Sequence, residues 1–142
     1  MKMNDRYLSK AKRIDNGEWI IGFYVQINEI DFICTRQLIH GGLYTVSKSF
    51  KVDKTTICQC TGLTDKNGQE IWENDIVRVW GDTDDFGNDL YYFFKVVWNK
   101  DLCCWWLSDI YTKDDECLYI YLKEIEILGN VFDNQELLEG GE

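Results

Sequence analysis

The chain has 142 residues, of which 45% are hydrophobic and 15% aromatic; this is enough apolar material to fold as one domain or two small lobes, and too much for a disordered chain. Its formal charge of −10 is uneven: residues 1–53 carry eight Lys/Arg against six Asp/Glu, a net +2, while residues 54–142 carry seven against nineteen, a net −12. That balance argues against a nucleic-acid face on the second half, because basic side chains that neutralise phosphates supply most of such affinity. Lys10, Lys12 and Arg13 remain as a small basic cluster.

No window approaches the ~20 apolar residues of a membrane span, and the opening Met1-Lys-Met-Asn-Asp-Arg-Tyr-Leu8 lacks the apolar run of a signal peptide. No membrane association and a reducing cytoplasmic location are expected. Six cysteines, Cys34, Cys58, Cys60, Cys103, Cys104 and Cys117, then read as reduced thiols that act as small hydrophobes. No Cys-x-x-Cys pair occurs and His40 is the sole histidine, so neither a zinc site nor any cofactor is expected.

With no proline in the chain, turns fall to Gly, Asn and Asp. Asn16-Gly17 predicts a two-residue hairpin turn with positive φ at both positions. Strands are predicted at Trp19 to Ile27 and at Ile30 to Thr35, joined through Asn28-Glu29. Gly41-Gly42 breaks the chain before a strand from Leu43 to Phe50, and Ile57 to Leu63 follows as another. A second turn is predicted at Asn67-Gly68 and a strand at Ile76 to Trp80. The polar stretch Gly81 to Asp89 carries four acids and no base.

Beyond it, Leu90 to Trp98 alternates, with Tyr92, Phe94, Val96 and Trp98 on one face, and Cys103 to Leu107 is the next strand. Leu118, Ile120 and Leu122 alternate with Tyr119, Tyr121 and Lys123, which predicts a strand with its three aliphatics in the core. Glu124 to Leu128 is the last strand. One short helix is expected at the end, with Asp133 as N-cap, Glu136 three residues later and Gly140 beyond the last turn. The fold class is mainly β, with antiparallel strands.

The most distinctive stretch runs Thr61-Gly-Leu-Thr-Asp-Lys-Asn-Gly-Gln-Glu-Ile-Trp-Glu-Asn-Asp-Ile-Val77. It resembles the signature of the YopX family of bacteriophage and prophage proteins, T-G-L-x-D-x-N-G-x-x-I-[YF]-E-G-D-I-V. Lys12-Arg-Ile-Asp-Asn-Gly-Glu-Trp19 with Gly22-Phe-Tyr24, and Ile125 through Leu138, resemble the family's opening and closing segments. Asn74 stands where the family has Gly; Asn is the next residue able to take a left-handed conformation cheaply. Lys54 replaces a usual Pro, Cys58-Gln-Cys60 replaces Gly-Gln-Tyr, and Asn134-Gln-Glu-Leu137 replaces Asn-Pro-Glu-Leu.

The resemblance implies a single YopX-like domain over residues 1–142, with an N-terminal β lobe of hairpins (1–60) and an SH3-like barrel with the C-terminal helix (61–142). It implies a phage or prophage origin in a bacterial cell and carries no biochemical activity with it. Gly62, Asp65, Gly68 and Asp75 read as turn residues whose spacing serves the backbone.

No catalytic signature stands out. A nucleophile needs a base, and His40 beside Gly41-Gly42 has none of the surrounding pattern; phosphate loops and dinucleotide fingerprints are absent. Asp82 to Asp89 places acids at positions 1 and 3 and Gly87 at position 6 of a calcium-type loop. Phe86 at position 5 and Phe93 at position 12 break that pattern. The chain is therefore expected not to be an enzyme, and to have neither catalytic nor metal-binding residues.

Binding is the remaining class. Trp72, Trp80, Trp105 and Trp106 are the candidate binding aromatics; Trp105 and Trp106 must face opposite ways on a strand. Two readings stand side by side. One is a protein-interaction or self-assembly module whose acidic second half meets a basic protein surface. The other is a nucleic-acid-associated small barrel that uses base stacking and the N-terminal basic cluster.

Overall fold

The computed structural model describes residues 7–42, 44–112 and 114–139, with the side chains of residues 37–39, 44 and 45 excepted. Its chain divides into two compact units, Met1–Cys60 and Thr61–Glu142. Both are built from antiparallel strands, and the only α-helix among the described residues is α1 (Glu136–Glu139). No helix among these residues is long and apolar enough to cross a membrane.

In the first unit, β1 (Ser9–Lys12), β2 (Trp19–Ile27), β3 (Ile30–Ile39) and β4 (Tyr44–Lys51) pair in sequence order. β5 (Cys58–Thr64) spans the division: Cys58 and Gln59 pair with β1, so β1 lies between β2 and β5. The core is small, with Ala11, Ile33 and Val52 buried and Ile20 and Ile57 packed against them. Close strand approach requires Gly22, since a Cβ there would lie 2.3 Å from the Cys34 carbonyl oxygen.

The turns exchange the roles that sequence suggests. At Asn16-Gly17 the hairpin closes on Arg13 and Glu18, with Arg13 N donating to Glu18 O and Gly17 N donating to Arg13 O, both at 2.9 Å. Four residues fill that loop, and within it Gly17 alone has a positive φ. The two-residue turn with both centres left-handed is the next one, Asn28 (φ 49°) and Glu29 (φ 65°), flanked by the pair Ile27 and Ile30. A favourable Asn-Gly pair therefore lost to register: the pairing of Lys12 with Trp19 leaves six residues to bridge, too many for a two-residue turn.

In the second unit, β6 (Glu70–Trp72) follows β5 in sheet order. β7 (Asp75–Thr83), β8 (Asp89–Asn99), β9 (Cys104–Asp109), β10 (Asp115–Cys117) and β11 (Glu126–Asn130) form a five-stranded sheet ordered β10-β9-β8-β7-β11. One face buries Val77, Val79, Phe94, Val96 and Leu107 with Ile71, Leu118 and Ile125. These alternate along β7, β8 and β9 as period-2 strands require. Burying a residue of this size is worth about 1.5–3 kcal/mol, so this cluster is the larger source of cohesion.

Leu118 to Lys123 is not a strand. Leu118–Tyr121 forms a turn of 3₁₀ helix; Leu118 is buried, Tyr121 and Leu122 pack against the core, and Ile120 is 69% exposed. The buried positions 118, 121, 122 and 125 follow the i, i+3, i+4, i+7 spacing of a helical face. Reading every second residue as apolar placed Ile120 on the wrong side. At the end of the chain, Asn130 bends the backbone by accepting from the amides of Phe132 and Asp133, each at 3.0 Å. The predicted helix shrinks to a single turn that begins after Asn134, and Gly140 lies outside the described residues.

Candidate functional site

The 61–77 stretch spends its polar side chains on the backbone. Thr61 Oγ1 donates to Ile71 O at 2.7 Å and accepts from Leu63 N at 3.1 Å, around Gly62 at φ 76°. Asp65 Oδ1 accepts from the amides of Asn67 and Gln69, each at 2.9 Å, and Gly68 supplies the left-handed residue at φ 80°. Asp65 Oδ2 then reaches across the sequence to accept from Ile127 N at 3.2 Å. Asp75 Oδ2 accepts from Trp72 N at 2.8 Å, over a turn in which Asn74 takes φ 70°. Asn therefore does fill the left-handed position that the family pattern gives to Gly.

The acidic stretch between β7 and β8 repeats the device. Asp84 Oδ1 accepts from Phe86 N at 2.9 Å and Asn88 N at 2.8 Å, Oδ2 accepts from Asn88 Nδ2 at 3.1 Å, and Gly87 has φ 85°. The bonds from the Asn88 backbone and side-chain amides hold the Asp84 carboxyl below the usual aspartate range. The loop is thus a hairpin turn. Nor does any group of three or more His, Cys, Asp or Glu gather in ligand-like proximity among the described residues.

The four tryptophans are not brought together. Trp72 is buried at the end of β6. Trp80 is 49% exposed on β7 and donates from Nε1 to Asp89 Oδ1 at 3.0 Å. Trp105 packs against the core and stands edge-on to Trp98, with ring centroids 5.1 Å apart. Trp106, on the alternate face of β9, is half-buried. His40 is exposed, in a left-handed turn at φ 52°.

Between β7, β8 and the β9–β10 hairpin, the second unit opens a cleft of about 390 Å³, within the range of small-ligand sites. Strand pairing explains its walls. Val79 faces Tyr92 across β7 and β8, Phe94 faces Asp109 across β8 and β9, and Glu116 lies opposite Leu107, which places these side chains on the inner face. Tyr121 joins the lining from the 3₁₀ turn, and Thr112 and Asp114, both exposed, join it from the β9–β10 connection. A bulge at Gly81 makes room for Tyr92, whose ring a Cβ on residue 81 would meet at 2.3 Å.

The cleft therefore combines aromatic rings with three carboxylates, and its described lining includes no Lys or Arg. Asp109 Oδ1 accepts from Tyr111 N and Thr112 N, both at 2.8 Å. Trp80 is the one sequence-predicted binding residue that borders this cleft. Asp109, Glu116 and Tyr92 were not singled out as site residues. Asp109 looks in sequence like any turn aspartate, and only strand register turns it inward.

In the first unit the basic cluster is spread over aromatic rings. The Lys10 and Lys12 ammonium groups lie 4.7 and 5.4 Å from the centre of the Trp19 ring, and the Arg13 guanidinium lies 4.5 Å from that of Phe50.

A family model described as "YopX protein" matches residues 11–139. No curated protein matches the chain at a significant level.

Proposed function

The chain belongs to the YopX family, and on that premise we propose that it is a phage- or prophage-encoded, non-enzymatic interaction module that works in the bacterial cytoplasm. Its second unit, read as an SH3-like barrel, is the working half, and its partner is a basic protein. The observation that carries this reading is the cleft itself: aromatic walls and carboxylates without a cation among its described lining. The −12 charge of residues 54–142 supports it by drawing a positive surface toward that half. The aspartates of the turns support the non-enzymatic part, since their oxygens are occupied by backbone amides.

The test is capture from bacterial lysate with the wild-type protein beside Asp114→Asn/Glu116→Gln, at low and moderate salt. The reading expects a basic protein retained by the wild type and released by the variant. An identical set of proteins on both, or none on either, sinks it.

A second reading has its own observation, the Lys10, Lys12 and Arg13 side chains stacked on Trp19 and Phe50. These could equally track a single-stranded nucleic acid. A gel shift with a single-stranded oligonucleotide at low salt, lost in Lys10→Gln/Lys12→Gln, would favour it; no shift at low salt ends it.

A further inference from the structure

The chain holds two of its own arginines in one way. The Arg78 guanidinium lies 4.1 Å from the centre of the Tyr91 ring and donates from Nε to Glu126 Oε2 at 2.6 Å. The Arg13 guanidinium lies 4.5 Å from that of Phe50 and donates from Nε to Asp15 Oδ1 at 2.9 Å. Each is caught between a ring face and a carboxylate. The cleft presents the same two components, with no cation among its described lining residues: Tyr92 and Tyr121 as rings, and Asp109, Asp114 and Glu116 as carboxylates.

Asp109 brings the most enclosed of these carboxylates to the cleft. The residue is only 8% exposed, and both hydrogen bonds to its carboxylate fall on Oδ1. Oδ2 receives no hydrogen bond from any described residue, although Asp109 borders the cleft. No buried side-chain oxygen among the described residues lacks a hydrogen-bond partner, so Oδ2 keeps contact with water, and an incoming N–H group would take the place of that water.

We propose that the cleft receives one arginine side chain from a protein partner, with the guanidinium against Tyr92 and its N–H groups on Asp109 and Glu116. This rests on the interaction-module reading and names what its cleft takes. Arginine fits better than lysine because its planar fork stacks on a ring and bonds a carboxylate with two N–H groups, and because it is shed from water more easily. No covalent step is involved.

The experiment is a titration of the full chain, followed by amide NMR, with a blocked five-residue peptide carrying one central arginine. Matched peptides carry lysine, or citrulline, which keeps the shape and removes the charge. Shifts are expected at Gly81, Tyr92 and Thr112, with the citrulline peptide weaker by about tenfold or more, the value of a charged hydrogen bond. Asp109→Asn keeps an oxygen for the Tyr111 and Thr112 amides and should abolish the shifts in a folded protein; Glu116→Gln, nearer the surface, should weaken them. Equal binding of citrulline, equal binding of lysine, or shifts away from the cleft overturns the proposal. If the arginine peptide fails while lysate capture still depends on Asp114 and Glu116, this inference falls and the interaction reading stands. If the peptide binds and no partner is captured, the cleft's preference for arginine stands, and the interaction reading falls together with the protein partner this inference takes from it.

Discussion

The turn at Asp65–Gln69 and the turn at Asp84–Asn88 are the same object built twice. In each, an aspartate Oδ1 accepts from the amides two and four residues on, and a glycine three residues on is left-handed. In each, the first and fifth residues also share a backbone bond at 2.8 Å. The two part at the other carboxylate oxygen. That of Asp65 is buried and bonds Ile127 N, 62 residues away; that of Asp84 bonds the Asn88 side chain within the same turn. Local sequence sets the shape of a turn, and the spare oxygen sets what the turn is for. Asp109 gives one oxygen to the amides two and three residues on, and its other oxygen is left to water in a residue that borders the cleft.

Removing each aspartate breaks the comparison open. Asp65→Ala strips two turn amides and the Ile127 amide of their acceptors in a buried site, and is expected to cost about 3 kcal/mol at 1–3 kcal/mol per orphaned group with partial relaxation. Asp84→Ala exposes its amides to water and should lower the melting temperature far less. Equal losses in thermal unfolding would show that the Ile127 bond carries nothing.

Gly68→Ala and Gly87→Ala sharpen the same point from the backbone side. Both glycines are left-handed with nothing within 4 Å of an added Cβ, so each should cost about 1 kcal/mol, the same in both turns. Chemical denaturation of the two variants checks this; a twofold difference would mean that the turns are not equivalent.

The smallest effect concerns acid. Glu126, next to Ile127 on β11, accepts from Arg78, and that bond holds its carboxyl below the usual glutamate range. A depressed folded value means that the pair stabilises fully above the unfolded value and is lost as pH falls through the folded one. Glu126→Gln should therefore flatten part of the stability decline below about pH 4.5, measured as melting temperature against pH. An unchanged slope would show that the Arg78–Glu126 pair contributes nothing to the hold on β11.

Much of this fold was legible because its turns are written in short-range chemistry. The strands from Trp19, Ile30, Ile76 and Leu90 appear near their predicted positions, and Asn74 bends as its residue type suggests. What failed needed tertiary information. Leu118 to Leu122 satisfies a period of two and a helical face equally well over five residues, and packing chose the helical one. Asn16-Gly17 carries the stronger hairpin signal, yet strand register gave the two-residue turn to Asn28-Glu29. The cleft was hidden for the same reason: Tyr92 reads as core, Glu116 as part of an acidic turn and Asp109 as a turn residue, until β7, β8, β9 and β10 are aligned.

The most direct test of this assignment is made on Asp109→Asn, with the amide spectrum and arginine-peptide affinity recorded on the same sample. Its turn acceptor survives and only the charge beside the cleft is removed, so the spectrum should stay that of a folded protein while peptide binding disappears. Binding that persists in the folded variant would contradict the role given to Asp109.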